Sequence, residues 1–131
     1  MSRIFNISEA AAIAIHSMAV IARSKRLLNS QQVSGITGFS RNHTAKVLQQ
    51  LAKNNYLQST RGPGGGFRLG KRADDISLMD IYRLIEGDLD ESECRMDCSN
   101  CPFHSCIFGG LDRKFNDEFK KYMNDKKLTS V

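Results

Sequence analysis

Apolar residues recur at helical spacing along most of the chain and at strand spacing in one place. Ser8 can cap a helix running to about Arg23: alanines favour it, and Ile13, Met18, Val20 and Ile21 give it an apolar side. Lys25 and Arg26 lead into a linker, after which Asn29 or Ser30 can cap a short helix over QQVSGI. Thr37-Gly38 makes a turn, and Ser40 caps a third helix, RNHTAKVLQQLAKNN, with Val47, Leu48 and Leu51 inward. A short helix, a glycine turn and a longer polar helix form a helix-turn-helix pattern. The strand-like stretch comes next. Tyr56 to Thr60 reads as a strand, RGPGGG as a turn and Phe67 to Leu69 as the returning strand. A hairpin directly after the third helix is a wing.

Beyond the wing, Asp75 or Ser77 can cap a helix, LMDIYRLIE, whose Leu78, Ile81, Tyr82 and Ile85 form one face and which Gly87 ends. A last helix is expected from about Ile107. Phe108, Leu111, Phe115, Phe119 and Tyr122 recur at steps of 3, 4, 4 and 3, an apolar stripe read as a dimer seam. The closing KKLTSV is expected to fray. The fold class is therefore mainly α with a small β-hairpin wing: a winged helix-turn-helix plus a long C-terminal dimerisation helix. Residues 1–73 form the DNA-binding region and 74–131 the cysteine loop and dimer helix, within one integrated domain.

Charge sharpens this picture. The net charge of +5 is unevenly spread: residues 1–72 hold eleven Lys and Arg against one acid, Glu9, whereas residues 73–131 hold eight bases and thirteen acids. The first half would attract a polyanion, and double-stranded DNA is the expected partner. On the third helix Arg41, Asn42, His43, Lys46 and Gln49 point outward, with side chains able to bond base edges and phosphates. In the wing, Arg61 and Arg68 supply cations, and Gly64 and Gly65 allow close approach to a backbone. A phosphate-cradling nucleotide loop is rejected, because Gly70-Lys71 is followed by Arg72 instead of Ser or Thr. No apolar run approaches a membrane span and no signal-peptide layout is seen, so a cytoplasmic, reducing compartment is expected and no membrane partner.

All four cysteines fall between residues 94 and 106, at C-x3-C-x2-C-x4-C spacing: Cys94, Cys98, Cys101 and Cys106. Thiolates this dense suit a metal, which stabilises the deprotonated sulfurs. An iron–sulfur cluster accepts short, irregular spacings, and Pro102 following Cys101 is familiar there. Structural zinc usually joins two pairs separated by a longer gap, and disulfides suit a secreted domain, but both remain open. Catalysis is not expected, because the three histidines lie on separate elements and no nucleophile–base or paired-carboxylate arrangement is visible.

The wing STRGPGGGFRLGK, the following DDISLMDIYRLIEG, the cysteines in the next loop and the closing amphipathic helix resemble winged-helix regulators of the IscR and NsrR type (the Rrf-two family) over nearly the whole length. The resemblance implies homodimers on palindromic operators, many holding an iron–sulfur cluster in that loop whose state controls DNA affinity. One departure matters. Many relatives have three cysteines there plus another ligand. The histidine that some place three residues after the last cysteine would fall at Gly109, and His104 is out of register. In others a carboxylate from the first helix of the second subunit completes the site, and the matching position is Glu9. Four thiolates of one protomer are the expected ligands, with Glu9 in reserve and a four-iron cluster favoured over a two-iron one. The function implied is a cluster-sensing transcriptional regulator, a repressor. A zinc-stabilised regulator without redox sensing and a small iron–sulfur electron carrier are the rivals.

Overall fold

The structure, a computed structural model, describes residues 5–88 and 101–131, so Cys94 and Cys98 lie outside the described residues. Helix α1 (Glu9–Arg23) is followed by α2 (Ser30–Thr37), α3 (Arg41–Lys53), strands β1 (Leu57–Thr60) and β2 (Gly66–Leu69), α4 (Leu78–Glu86) and α5 (Leu111–Asp125). Short 3-10 turns at Ala73–Asp75 and Leu128–Ser130 complete the described order. The fold is mainly helical with one antiparallel hairpin, in the register Leu57↔Leu69 to Thr60↔Gly66.

Local chemistry sets the helix ends. The Ser8, Asn29, Ser40 and Ser77 side chains each accept from a backbone amide in the first turn of the helix they precede. Asn29 with Gln32 and Ser77 with Asp80 form reciprocal capping boxes. Helix α1 lies at the centre, against α3 and α4. Its Ile13, Ala14 and Met18 are fully buried with Leu48, Leu51, Met79, Ile81 and Tyr82. Full burial of the isoleucine, leucine and methionine side chains among them stabilises by roughly 1.5–3 kcal/mol each.

The linker before α2 is more than a connection. Leu28 pairs with Phe67 of β2: the Phe67 amide donates to the Leu28 carbonyl at 2.7 Å, and the Leu28 amide donates back at 3.4 Å. This ties the base of the wing to the start of α2. Only glycine fits at position 66, where a Cβ would lie 2.6 Å from the Leu28 carbonyl carbon.

Two expectations about the C-terminal segment are corrected. The tail does not fray: the Leu78 amide donates to the Lys126 carbonyl and the Leu128 amide to the Ile76 carbonyl, at 2.9 and 3.0 Å. That pairing inserts Leu128 into the core, where it is 2% exposed. The last helix starts at Leu111, not near Ile107, because Gly109 and Gly110 both occupy the left-handed region, at φ +59° and +76°. Phe108 therefore precedes the helix.

The apolar stripe also divides. On α5, Asp112, Asn116, Phe119 and Met123 face inward, while Leu111, Phe115 and Tyr122 stay exposed. Phe119 stacks on Phe5 with ring centroids 4.1 Å apart and meets Tyr82 edge-on at 5.0 Å. It is a core residue of its own chain and not part of an outward seam. No helix among the described residues is long and apolar enough to cross a membrane.

Candidate nucleic-acid interface and metal centre

Helix α3 presents one face to the core and the opposite face to solvent. Thr44, Val47, Leu48 and Leu51 are buried, and this sets Arg41, Asn42, Lys46 and Gln49 outward, all exposed. The first turn is held by the Ser40 hydroxyl, which accepts from the His43 amide at 3.1 Å. His43 itself is partly covered. Its Nδ1 lies 3.4 Å from Oε1 of Glu9, at the start of α1. A carboxylate so placed also suits the positive end of the α1 dipole.

Between the wing and the helix pair opens a cleft of about 1210 Å³. One wall is Arg26, Asn29, Ser30 and Gln32; another is Gln49 and Lys53 of α3; the third is Arg61 to Phe67 of the wing. Arg26, Lys53 and Arg61 thus bring three cations to one concave surface. Such a surface suits a phosphodiester strand, since cations fix the register of a protein on a duplex through its backbone. Gly64 sits exposed at the wing tip, and the Gly65 amide donates to the Gly62 carbonyl at 2.9 Å to close the turn. Arg68 stands on the exposed side of the hairpin, its Nε donating to Oε1 of its cross-strand neighbour Gln58 at 3.1 Å. In the sequence Arg26 leads into a linker. Nothing local marks it, because its role depends on β2 pairing with Leu28.

Of the four cysteines, Cys101 and Cys106 are described; both are free thiols, the first half-buried and the second exposed. They are soft sulfur donors, of the kind that suits iron as well as zinc. Among the described residues no group of three or more His, Cys, Asp or Glu side chains converges as a metal site. Cys94 and Cys98, the other two residues of the expected ligand set, lie outside the described residues. His104 is exposed. Glu9, the reserve ligand, is engaged with His43.

The elements that bracket the cysteine loop are both tied to the N-terminal arm. The Tyr82 hydroxyl of α4 donates to the Asn6 carbonyl at 3.0 Å, and the Ser8 hydroxyl donates to Glu86 in the last turn of α4. From α5, Asn116 Oδ1 accepts from the Phe5 amide at 2.7 Å. Residues 5–9 thus contact α4, α5 and, through Glu9, the third helix. Sequence reasoning missed Asn6, Glu86 and Asn116. Contacts spanning 76 to 111 positions leave no periodic signal.

A helix-turn-helix with a wing tethered to its first helix defines the class of protein, and comparison with known proteins narrows it. The model of a family described as Rrf2, iron-dependent transcriptional regulator, matches residues 7–131. The chain belongs to the Rrf2 family. NsrR of Bacillus subtilis, an HTH-type transcriptional regulator, is 36% identical over 72 residues, which is 55% of this chain and 49% of that protein. The chain thus spans about half the length of that curated relative in the match. Among solved structures, CymR, the global cysteine regulator of B. subtilis, superposes with a TM-score of 0.78 at 20% identity, over 97% of this chain and 95% of CymR. IscR of T. potens gives a TM-score of 0.74 at 19% identity, over 96% and 85%. At those identities the structures establish the shared fold. The family is described as one of transcriptional regulators, not of enzymes or electron carriers.

Proposed function

We propose that this Rrf2 protein is a homodimeric repressor that senses an iron–sulfur cluster and binds a palindromic operator. The observation that carries the sensing is the arm at residues 5–9. It is held by both elements that bracket the cysteine loop, and it ends on the helix that reads DNA. Cys94, Cys98, Cys101 and Cys106 would hold the cluster, a four-iron centre before a two-iron one, with Glu9 in reserve. A bound cluster supplies a redox-labile crosslink among thiolates. The chain does the rest. Cys106 would join the ligand set from a position three residues before the turn at Gly109-Gly110, which precedes α5. Asn116 and Phe119 of α5 contact Phe5, and the arm that starts there runs to α1 and, through Glu9, to His43.

A coupling of about 1–3 kcal/mol between cluster and DNA sites would change operator occupancy roughly 5- to 150-fold. The exposed Leu111, Phe115 and Tyr122, with Phe108 just before them, are the side of α5 that a second copy would cover. Such a dimer sets its two α3 helices about one DNA turn apart. A regulator of this kind works where the chromosome is, in the cytoplasm. The decisive measurement compares operator affinity of the cluster-loaded and cluster-free protein. A difference of fivefold or more is expected, and equal affinity ends the sensing claim. Zinc is the second reading, since thiolates also suit it. A colourless anaerobic preparation with one zinc per chain would select it.

A further inference from the structure

The cleft beneath the wing gathers cations from three separate elements: Arg26 ahead of α2, Lys53 at the end of α3 and Arg61 in the hairpin turn. All three are exposed, and none forms an ion pair among the described residues. The one acid in residues 1–72 cannot balance them, because Glu9 lies beside His43. Like charges on one concave surface repel, and a ligand carrying several negative charges relieves that repulsion. The chain also fixes where Arg26 sits. The Ser24 hydroxyl accepts from its amide at 3.2 Å and donates to its carbonyl at 2.7 Å, and two residues on Leu28 is paired with Phe67.

Asn29 and Gln32 line the same wall of the cleft as Arg26. Their reciprocal contact decides which end of each side chain is free. The Asn29 amide donates to Gln32 Oε1 at 2.9 Å, and the Gln32 amide donates to Asn29 Oδ1 at 2.8 Å. A backbone N–H can be met only by an acceptor, so both side chains turn their oxygens to the chain. Their NH2 groups are left without a partner among the described residues. The wall thus offers two neutral donors beside a guanidinium. Base edges in the major groove mix donors with acceptors, whereas phosphate oxygens only accept.

We infer that Asn29 and Gln32 are phosphate-contacting residues: with Arg26 they hold the backbone of one DNA strand in the cleft, whatever its base sequence. The inference deepens the operator binding proposed above and rests on it. It assigns two side chains outside α3 and the wing to the grip, where a purely structural role would end with the cap of α2.

The two roles can be separated by exchanging one group. Aspartate caps a helix as well as asparagine does, and glutamate serves in the reciprocal box as glutamine does. Asn29→Asp and Gln32→Glu therefore keep the cap and replace each NH2 donor with a carboxylate oxygen. Binding of the full chain to its operator and to a random duplex is titrated at several salt concentrations, beside denaturant unfolding. Both variants should keep the wild-type unfolding midpoint. Each should weaken binding to the two duplexes by the same factor, about tenfold or more. Arg26→Ala should lower the salt slope by about one contact on both. Asn124→Asp, an exposed position on α5, makes the same change in net charge and should leave affinity within about twofold of wild type.

Four results overturn the inference. Affinity may stay within about twofold of wild type in Asn29→Asp and Gln32→Glu, or the loss may be confined to the operator, which makes the contact a base contact. Asn124→Asp may match the loss, which makes it an effect of net charge, or the unfolding midpoint may fall in both variants, which assigns the amides to the cap alone. A wild-type protein with no salt-dependent binding to either duplex overturns the operator binding itself, a failure seen without any variant.

Discussion

The helix-turn-helix half with its wing and the α4–α5 half hold their shapes by different means. In the first, short-range chemistry does most of the work: serine and asparagine caps and a tight hairpin shape the helices and the wing, and one longer tie, the Leu28–Phe67 pairing, joins them. In the second, the order depends on distant contacts. Phe119 leans on Phe5, Asn116 holds the Phe5 amide, and Leu128 pairs beside Ile76. Between them lies a helix start, at Leu111, with two left-handed glycines and no side-chain cap. With α4 packed on α1 in the common core, α5 is the segment held by a few long-range ties, and such a segment suits a switch, because loss of one tie changes α5 first.

The comparison can be broken most severely at Phe119. Phe119→Ala should cost about 3–5 kcal/mol in denaturant unfolding, whereas Phe115→Ala, on the exposed side, should leave protomer stability within about 0.5 kcal/mol. Phe115→Glu should instead convert a dimer to a monomer, read by sedimentation; a dimer that persists would move the seam elsewhere. Leu128→Ala should destabilise by about 2–5 kcal/mol, an effect a frayed tail would not show. Cys106→Ala sharpens the contrast from the other side. It should abolish iron retention, read by metal count and absorbance, while an exposed position keeps the unfolding midpoint nearly unchanged. Asn116→Ala should cost about 1 kcal/mol and shrink the difference in operator affinity between loaded and empty protein. Arg61→Ala should weaken binding to all DNA alike and lower the salt slope by about one contact.

The same division explains what could be read from the residues alone. The helices of the first half were visible in the sequence, with the caps Ser8 and Ser40 and, for α2, a choice between Asn29 and Ser30 that the structure decides for Asn29, because capping chemistry and apolar spacing act within four residues of one another. So was the hairpin, from its glycine turn. Helix α4 was equally plain, since Ser77, its apolar face and Gly87 are all local. The stripe on α5 was misjudged. Residues 119 and 115 share a helical spacing, and only the presence of Phe5 and Tyr82 sends one inward and leaves the other out. The start of α5 was misplaced because glycines at 109 and 110 can continue a helix or break it. KKLTSV looks polar enough to float, yet one leucine and a backbone pairing hold it. In the candidate interface, the outward face of α3 was clear from the sequence. The cleft was not, for it exists only once the wing folds back over Arg26.

The pairing of Leu28 with Phe67 makes the wing and the start of α2 the two prongs of a fork whose gauge is set. On the proposed interface, prongs tied at their base leave more of the fitting to the duplex. Operators with pliable pyrimidine–purine steps under the wing would then be favoured over stiff ones with the same contacted bases, and part of the regulator's selectivity would reside in how its DNA bends.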